Sequence, residues 1–376
     1  MVHNDLFDAR LKKVKECIES KNEKVVSTYM GQAVAPSFYD DITLAEYMDD
    51  IPRGFQRYLE FMDRINKEAP IDCINFGYPG AHYAALTLCW WSRIKRPGYE
   101  LPADAVWQCE EKNNMLDSDY ETIADGGLEE VQNRVLSQVM DDLSAIDVFM
   151  DFYGKDFGMY MQKYADAGYP VLNTGIVCPP FETLCGGRGM NKFFMDCYKK
   201  MDLIKAAQDA MMPVLHAQID AVPDEDYVIG RWIGGWRGAS NMVSPKIWDT
   251  LVWPYIKELA LHMIDRNITP IIHMDACWDR DLERFGELPA KKVILNTDGM
   301  TNMRKAREIL GDHCALMGDV PSQMLTVSTK EEIKDYAKRL IDDIGPKGLF
   351  LTAGCDAPSC SKYENLVAIH EVAAEY

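Results

Sequence analysis

His273 and Asp275 stand two residues apart in Pro270-Ile271-Ile272-His273-Met274-Asp275-Ala276-Cys277. The run is short and apolar with a polar tip, so it reads as a buried strand, and residues two apart on a strand leave the same face. Cys355 ends a similar run, Gly348-Leu349-Phe350-Leu351-Thr352-Ala353-Gly354-Cys355-Asp356. An imidazole, a carboxylate and a thiolate brought to one point make a donor set suited to Zn²⁺. The spacing lacks the tight C-x-x-C pairs of a structural zinc site. The plain alternative is that His273 bonds a neighbouring carbonyl and Cys355 packs into the end of the sheet. Asp298 and Asp319 each follow an apolar run beside a glycine. They are candidates to orient His273 or touch substrate, or else to cap helices.

Arg231-Trp232-Ile233-Gly234-Gly235-Trp236-Arg237-Gly238 reads as a loop. Trp232 and Trp236 could stack on a planar ligand, and Arg231 or Arg237 could pair with its anionic group. The alternative is a glycine-rich turn packed by two core tryptophans. His82, after Pro79-Gly80, is a lesser substrate candidate, and Cys178 and Cys185 are spaced wrongly for a zinc knuckle.

These groups need elements that bring them together. Lys292–Gly299 and Cys314–Asp319 repeat the form of the two strands above, apolar and then polar at the tip. Further strand signals lie at Ile71–Phe76, Ile146–Asp151, Tyr169–Thr174 and Tyr227–Gly230. Helical patterns separate them: Ala84–Trp91, Leu128–Leu143, Met190–Leu215, and a helix opened by Ser244-Pro245. Near the end, Ser328-Thr329-Lys330-Glu331 reads as a capping box and Gly345 as a helix terminator. Val177–Gly189 reads as a loop, and Pro97–Asp125 as an excursion with little regular structure. Residues 5–30 carry a helical stripe of Leu11, Val14, Cys17 and Ile18, and no barrel strand is evident before residue 66. The alternation predicts a (β/α)₈ TIM barrel over 67–376, with a helical cap over 1–66. Polar strand tips then converge on one mouth, where such barrels carry their chemistry. No G-x-G-x-x-G follows the first strand signal, which disfavours a dinucleotide fold.

The chain has 376 residues, 47% apolar and 26% charged, with a formal net charge of −19. That balance argues against nucleic acid as a partner, since phosphate binding needs clustered cations. No apolar run approaches the ~18 residues of a membrane span, and the N-terminus lacks the apolar core of a signal peptide. Eleven scattered cysteines, an odd number, fit a reducing cytoplasm.

Several motifs now carry a resemblance. Gly354-Cys355-Asp356 followed by Pro358 and a helix with Glu364-Asn365-Leu366, then Gly318-Asp319-Val320-Pro321, then Ser244-Pro245 with Trp253-Pro254-Tyr255, are similar to uroporphyrinogen decarboxylase-like proteins. The likeness covers roughly residues 170–376 and implies a (β/α)₈ barrel. The Arg-rich N-terminal signature of true uroporphyrinogen decarboxylases is absent, which turns the reading from tetrapyrrole decarboxylation toward the branch of cobalamin-dependent methyltransferases. Thiol-specific members of that branch carry His-x-Cys on the strand and a Gly-Cys at the last one. Here His273 and Cys355 match, while Asp275 holds the middle position and Cys277 is the other candidate third ligand. The resemblance implies zinc, a corrinoid protein partner carrying cobalamin, and a small methyl donor. A harder zinc with an oxygen ligand suits a methoxylated aromatic, hence O-demethylation. The alternatives are transfer from methylcorrinoid to coenzyme M or a pterin, and a binding protein without turnover.

Overall fold

The computed structural model describes residues 2–31, 35, 37–76 and 83–376. Eight parallel strands close into a barrel in sequence order. They are β1 (Val26–Tyr29), β2 (Cys73–Phe76), β3 (Val171–Val177), β4 (Gly230–Ile233), β5 (Thr269–Met274), β6 (Ile294–Thr297), β7 (Ala315–Val320) and β8 (Leu349–Ala353). Helices surround them, giving the expected (β/α)₈ barrel.

The first strand corrects the expectation that none lies before residue 66. Val26 pairs with Phe350 of β8, and Thr28 with Cys73 of β2, so closure runs through this segment. Its polar residues have local reasons. Ser27 bonds His370 Nδ1 at 2.6 Å on the helix side. Asp72 accepts from the Ser27 N–H and from Lys13 Nζ, each at 2.7 Å, tying β1 to helix Asp5–Ile18. That helix buries the Leu11, Val14, Cys17 and Ile18 stripe.

Other expectations shift. Ile146–Asp151 lies in a helix, Ser144–Asp151, with Val148 and Met150 more than half exposed, which a buried barrel strand would forbid. Val177–Gly189 holds helix Pro180–Arg188. Gly186 is required there, because a Cβ would sit 1.9 Å from the Trp90 carbonyl oxygen. The Pro97–Asp125 stretch contributes Gln108–Glu110, antiparallel to Arg93–Lys95, and helix Asp119–Ala124. Arg231, Trp232 and Ile233 belong to β4 and not to a loop.

Register decides which side chains enter the barrel, since paired residues of parallel strands face the same way. His273 pairs with Asn296, Asn296 with Met317, Met317 with Phe350, and Phe350 with Val26. Alternation along each strand then turns Thr28, Trp232 and Thr352 inward as well. In a (β/α)₈ barrel, alternate strands supply each inner layer. Trp232 of β4, Asn296 of β6 and Thr352 of β8 accordingly share one layer, beneath His273.

Candidate metal centre

At the C-terminal mouth, β5 and β8 deliver three donors to one point. His273, Asp275 and Cys355 each offer a ligand atom, all within 4.8 Å of one another, and among the described residues they form the group able to hold a metal. His273 Nε2 lies 2.9 Å from Asp275 Oδ1 and 3.8 Å from Cys355 Sγ. Ligands held 2.0–2.3 Å from a shared tetrahedral zinc stand about 3–4 Å apart, and the two separations from His273 are compatible with that spacing. His273 is buried at 4% exposure while the Asp275 side chain keeps 29%, so the cluster opens on one side. Cys277 is not part of the group.

Asn296 supplies what the donors need behind them. Its Nδ2 donates to the Met317 carbonyl at 3.1 Å and the Gly354 carbonyl at 3.5 Å. Its Oδ1 is thereby turned to His273 Nδ1, 2.6 Å away, where it accepts the ring N–H. That fixes the tautomer and leaves Nε2 facing Asp275 and Cys355. Trp232 stacks flat on the imidazole, with centroids 4.3 Å apart and planes at 9°. Sequence reasoning missed Asn296; the available signal was a polar residue inside the otherwise apolar Ile294-Leu295-Asn296 run.

Asp298 clamps the turn after β5. Its Oδ2 accepts from the Ala276 N–H at 2.8 Å, and Thr301 donates to the Ala276 carbonyl at 2.9 Å. Ala276 needs that support, because its φ of 65° lies in the left-handed region. Trp278 Nε1 donates to the Asp275 carbonyl at 2.7 Å and completes the turn. Asp319 turns to the helix layer, where the Tyr336 hydroxyl donates to it at 2.9 Å. Trp236 meets Trp90 edge-on at 5.0 Å and lies under the Arg237 guanidinium. Arg237 is fully buried between Glu111 and Glu182, so its charge is matched inside the protein and is not directed at the cluster. His82 lies outside the described residues.

The charges are coupled. Burial works to lower the His273 pKa, yet the adjacent Asp275 carboxylate and the Cys355 contact hold it well above the usual imidazole value. Burial works to raise Asp275, and His273 still keeps it below the ordinary carboxylate range. Burial lifts the Cys355 thiol, against the pull of His273. Asp356, beside it, is pushed by burial up to about 6. Metal entry must displace the imidazole and thiol protons, so uptake strengthens as pH rises.

Comparison with known proteins agrees with this frame. The chain resembles a methyltransferase from Methanosarcina mazei in structure, with a TM-score of 0.65 and 14% identity over 97% of this chain and 98% of that one. It is 28% identical over 150 residues to the uroporphyrinogen decarboxylase of Geobacter sulfurreducens, covering 39% of this chain and 41% of the relative. With that of Geobacter metallireducens it shares 29% over 132 residues, 35% and 36% of the two chains. The chain thus spans about two fifths of the length of these curated relatives. The family model for uroporphyrinogen decarboxylase (URO-D) matches residues 128–376, and the chain belongs to that family.

Proposed function

We propose that the protein is a zinc-dependent methyltransferase. It moves a methyl group from a small donor, preferably a methoxylated aromatic, to the cob(I)amide of a separate corrinoid protein. The convergence of His273, Asp275 and Cys355 at the barrel mouth carries this reading. The three would hold the ion, which supplies Lewis acidity toward the donor oxygen as the methyl group leaves. An oxygen ligand in the set favours an oxygen-bound methyl over a thiol-bound one. Asn296 keeps Nε2 of His273 in the ligand-bearing direction, and Trp232 forms an aromatic wall beside it. Asp298 holds the turn that aims Asp275, with the Asp275 side chain partly open for substrate approach. The methyl acceptor arrives with the partner protein, so no protein nucleophile is required. Decarboxylation of a tetrapyrrole has less support, because the chain lacks the Arg-rich N-terminal signature of true uroporphyrinogen decarboxylases.

The test is the metal content of anaerobically purified protein, wild type beside Cys355→Ala, followed by methyl transfer from methoxylated aromatics to cob(I)alamin. The expectation is about one zinc in the wild type, with metal and transfer both lost in the variant. Full activity in Cys355→Ala eliminates the proposal. Transfer to coenzyme M or a pterin, with no methoxylated donor accepted, moves the reading to the opposite leg of the reaction. A folded protein with no metal and no transfer leaves a corrinoid-protein binder.

A further inference from the structure

Two of the eleven thiols meet outside the metal centre. Cys178 follows β3 at the barrel mouth, and Cys89 stands next to last in helix Tyr83–Trp90. Their side chains interact directly. The surrounding chain holds them there. Thr183, in helix Pro180–Arg188, donates its hydroxyl to the Cys89 carbonyl at 2.7 Å, and its side chain also touches the Cys178 thiol. One turn later, Gly186 lies so near the Trp90 carbonyl that no Cβ fits between them. The segment bearing Cys178 and the helix bearing Cys89 are thus packed backbone to backbone. Cys178 is buried, while Cys89 is partly exposed and open to a small reagent. A second interacting pair, Cys17 and Cys73, is 0% exposed at both sulfur-bearing residues, which shuts such a reagent out.

We infer that Cys89 and Cys178 form an oxidation site, a dithiol that peroxide closes into a disulfide and small thiols reopen. In the first step the Cys89 sulfur, the more exposed of the two, attacks one peroxide oxygen. The O–O bond breaks, Cys89 becomes a sulfenic acid, and water leaves. Burial pushes the Cys178 pKa up, which keeps that thiol out of the first step. In the second step the Cys178 sulfur displaces the hydroxyl from the Cys89 sulfur. The S–S bond forms, and the hydroxyl leaves as water with the Cys178 proton. Together the sulfurs give up two electrons and two protons, and one peroxide is reduced to two waters. The new bond ties the end of helix Tyr83–Trp90 to the tip of β3. Pro179, the next residue, lines a cavity shared with Glu182, Gly234, Gly235 and His273, so the staple lies one residue from a wall of the candidate centre. It forms whether or not the protein transfers methyl groups.

The test is peptide mapping of anaerobically purified, fully reduced protein after a few equivalents of hydrogen peroxide. Remaining thiols are alkylated under denaturing conditions before digestion. We expect a crosslinked peptide joining Cys89 to Cys178, two hydrogens lighter than its parts and released by dithiothreitol, with Cys17 and Cys73 recovered alkylated. In Cys178→Ala the crosslink is lost and Cys89 goes on to the sulfinic acid, which dithiothreitol does not reverse. In Cys89→Ser, Cys178 should be recovered as the free thiol at the same dose. Both sulfurs free in the treated wild type, or Cys89 as sulfinic acid beside a free Cys178, overturns the inference. Should Cys178→Ala fail to fold, Cys89→Ser decides, since oxidation of Cys178 without Cys89 also overturns it. Thermal midpoints of the reduced and crosslinked wild type complete the test. A midpoint at or above that of the reduced protein shows that the bond fits the native packing. A lower one means that it forms only by pulling the two segments apart, and the site is not built for it.

Discussion

Asn296 commits its amide N–H groups to the Met317 and Gly354 carbonyls, and only its oxygen remains for His273. The imidazole therefore turns Nε2 toward Asp275 and Cys355, where its lone pair becomes available to a metal once the Nε2 proton has left. Asn296→Ala should leave the barrel folded and weaken zinc binding by roughly 10–100-fold, the usual effect of removing such a supporting group. Competition titration with a chromophoric chelator measures this, and unchanged affinity would show that Trp232 stacking alone orients the ring. The convergence of His273, Asp275 and Cys355 was readable in the sequence because residues able to ligate a metal are unusual at strand tips. Asn296 was not, because its importance depends on a register between β5 and β6 that the sequence does not display. Arg237 misled in the opposite direction. As a sequence feature it is a cation in a glycine-rich stretch, but Glu111, beyond the Gln108–Glu110 strand, and Glu182 enclose it.

Among the elements, β5 to β8 were legible because strands buried on both faces are continuous apolar runs. The Val26-Ser27-Thr28-Tyr29 strand escaped because three of its four residues are hydroxylic, Ser27 toward His370, Thr28 toward the Cys73 carbonyl and Tyr29 toward the Gly31 carbonyl. His370 lies in the final helix, Tyr363–Glu375, and joins that helix to β1. Burial lowers its pKa from 6.5 to about 4. The folded-state value is depressed, so the unfolded chain takes up the proton first. The neutral ring is at no disadvantage above pH 6.5, and stability is lost as pH falls from there toward 4, at about 1.4 kcal/mol per pH unit. Denaturant titrations at pH 7 and pH 5 should show a smaller acid loss in His370→Gln than in wild type, by about 2 kcal/mol. An equal loss in both proteins would place the acid sensitivity elsewhere.

For the molecule as a whole, β1 makes residues before 67 part of the barrel wall. A chain beginning at residue 67 would expose the edges of β2 and β8 that β1 joins. We expect it to show no cooperative thermal transition and to aggregate in size-exclusion chromatography. A folded monomer with a sharp transition would mean that β2 and β8 can close the sheet without β1. None of the helices among the described residues is long and apolar enough to cross a membrane.

The pairing of β1 with β8 also sets an order of events during synthesis. His273 and Asp275 leave the ribosome well before Cys355, and β1 must wait for almost the whole chain before its second neighbour exists. A nascent chain that ends before β8 has an unpaired edge on β1 and only two of the three side chains of the candidate metal cluster. Sheet closure and the arrival of the thiol then come with the same few residues. A ribosome stalled between β7 and β8 would thus carry an incomplete barrel and an incomplete donor cluster, the stage at which a chaperone has most to protect.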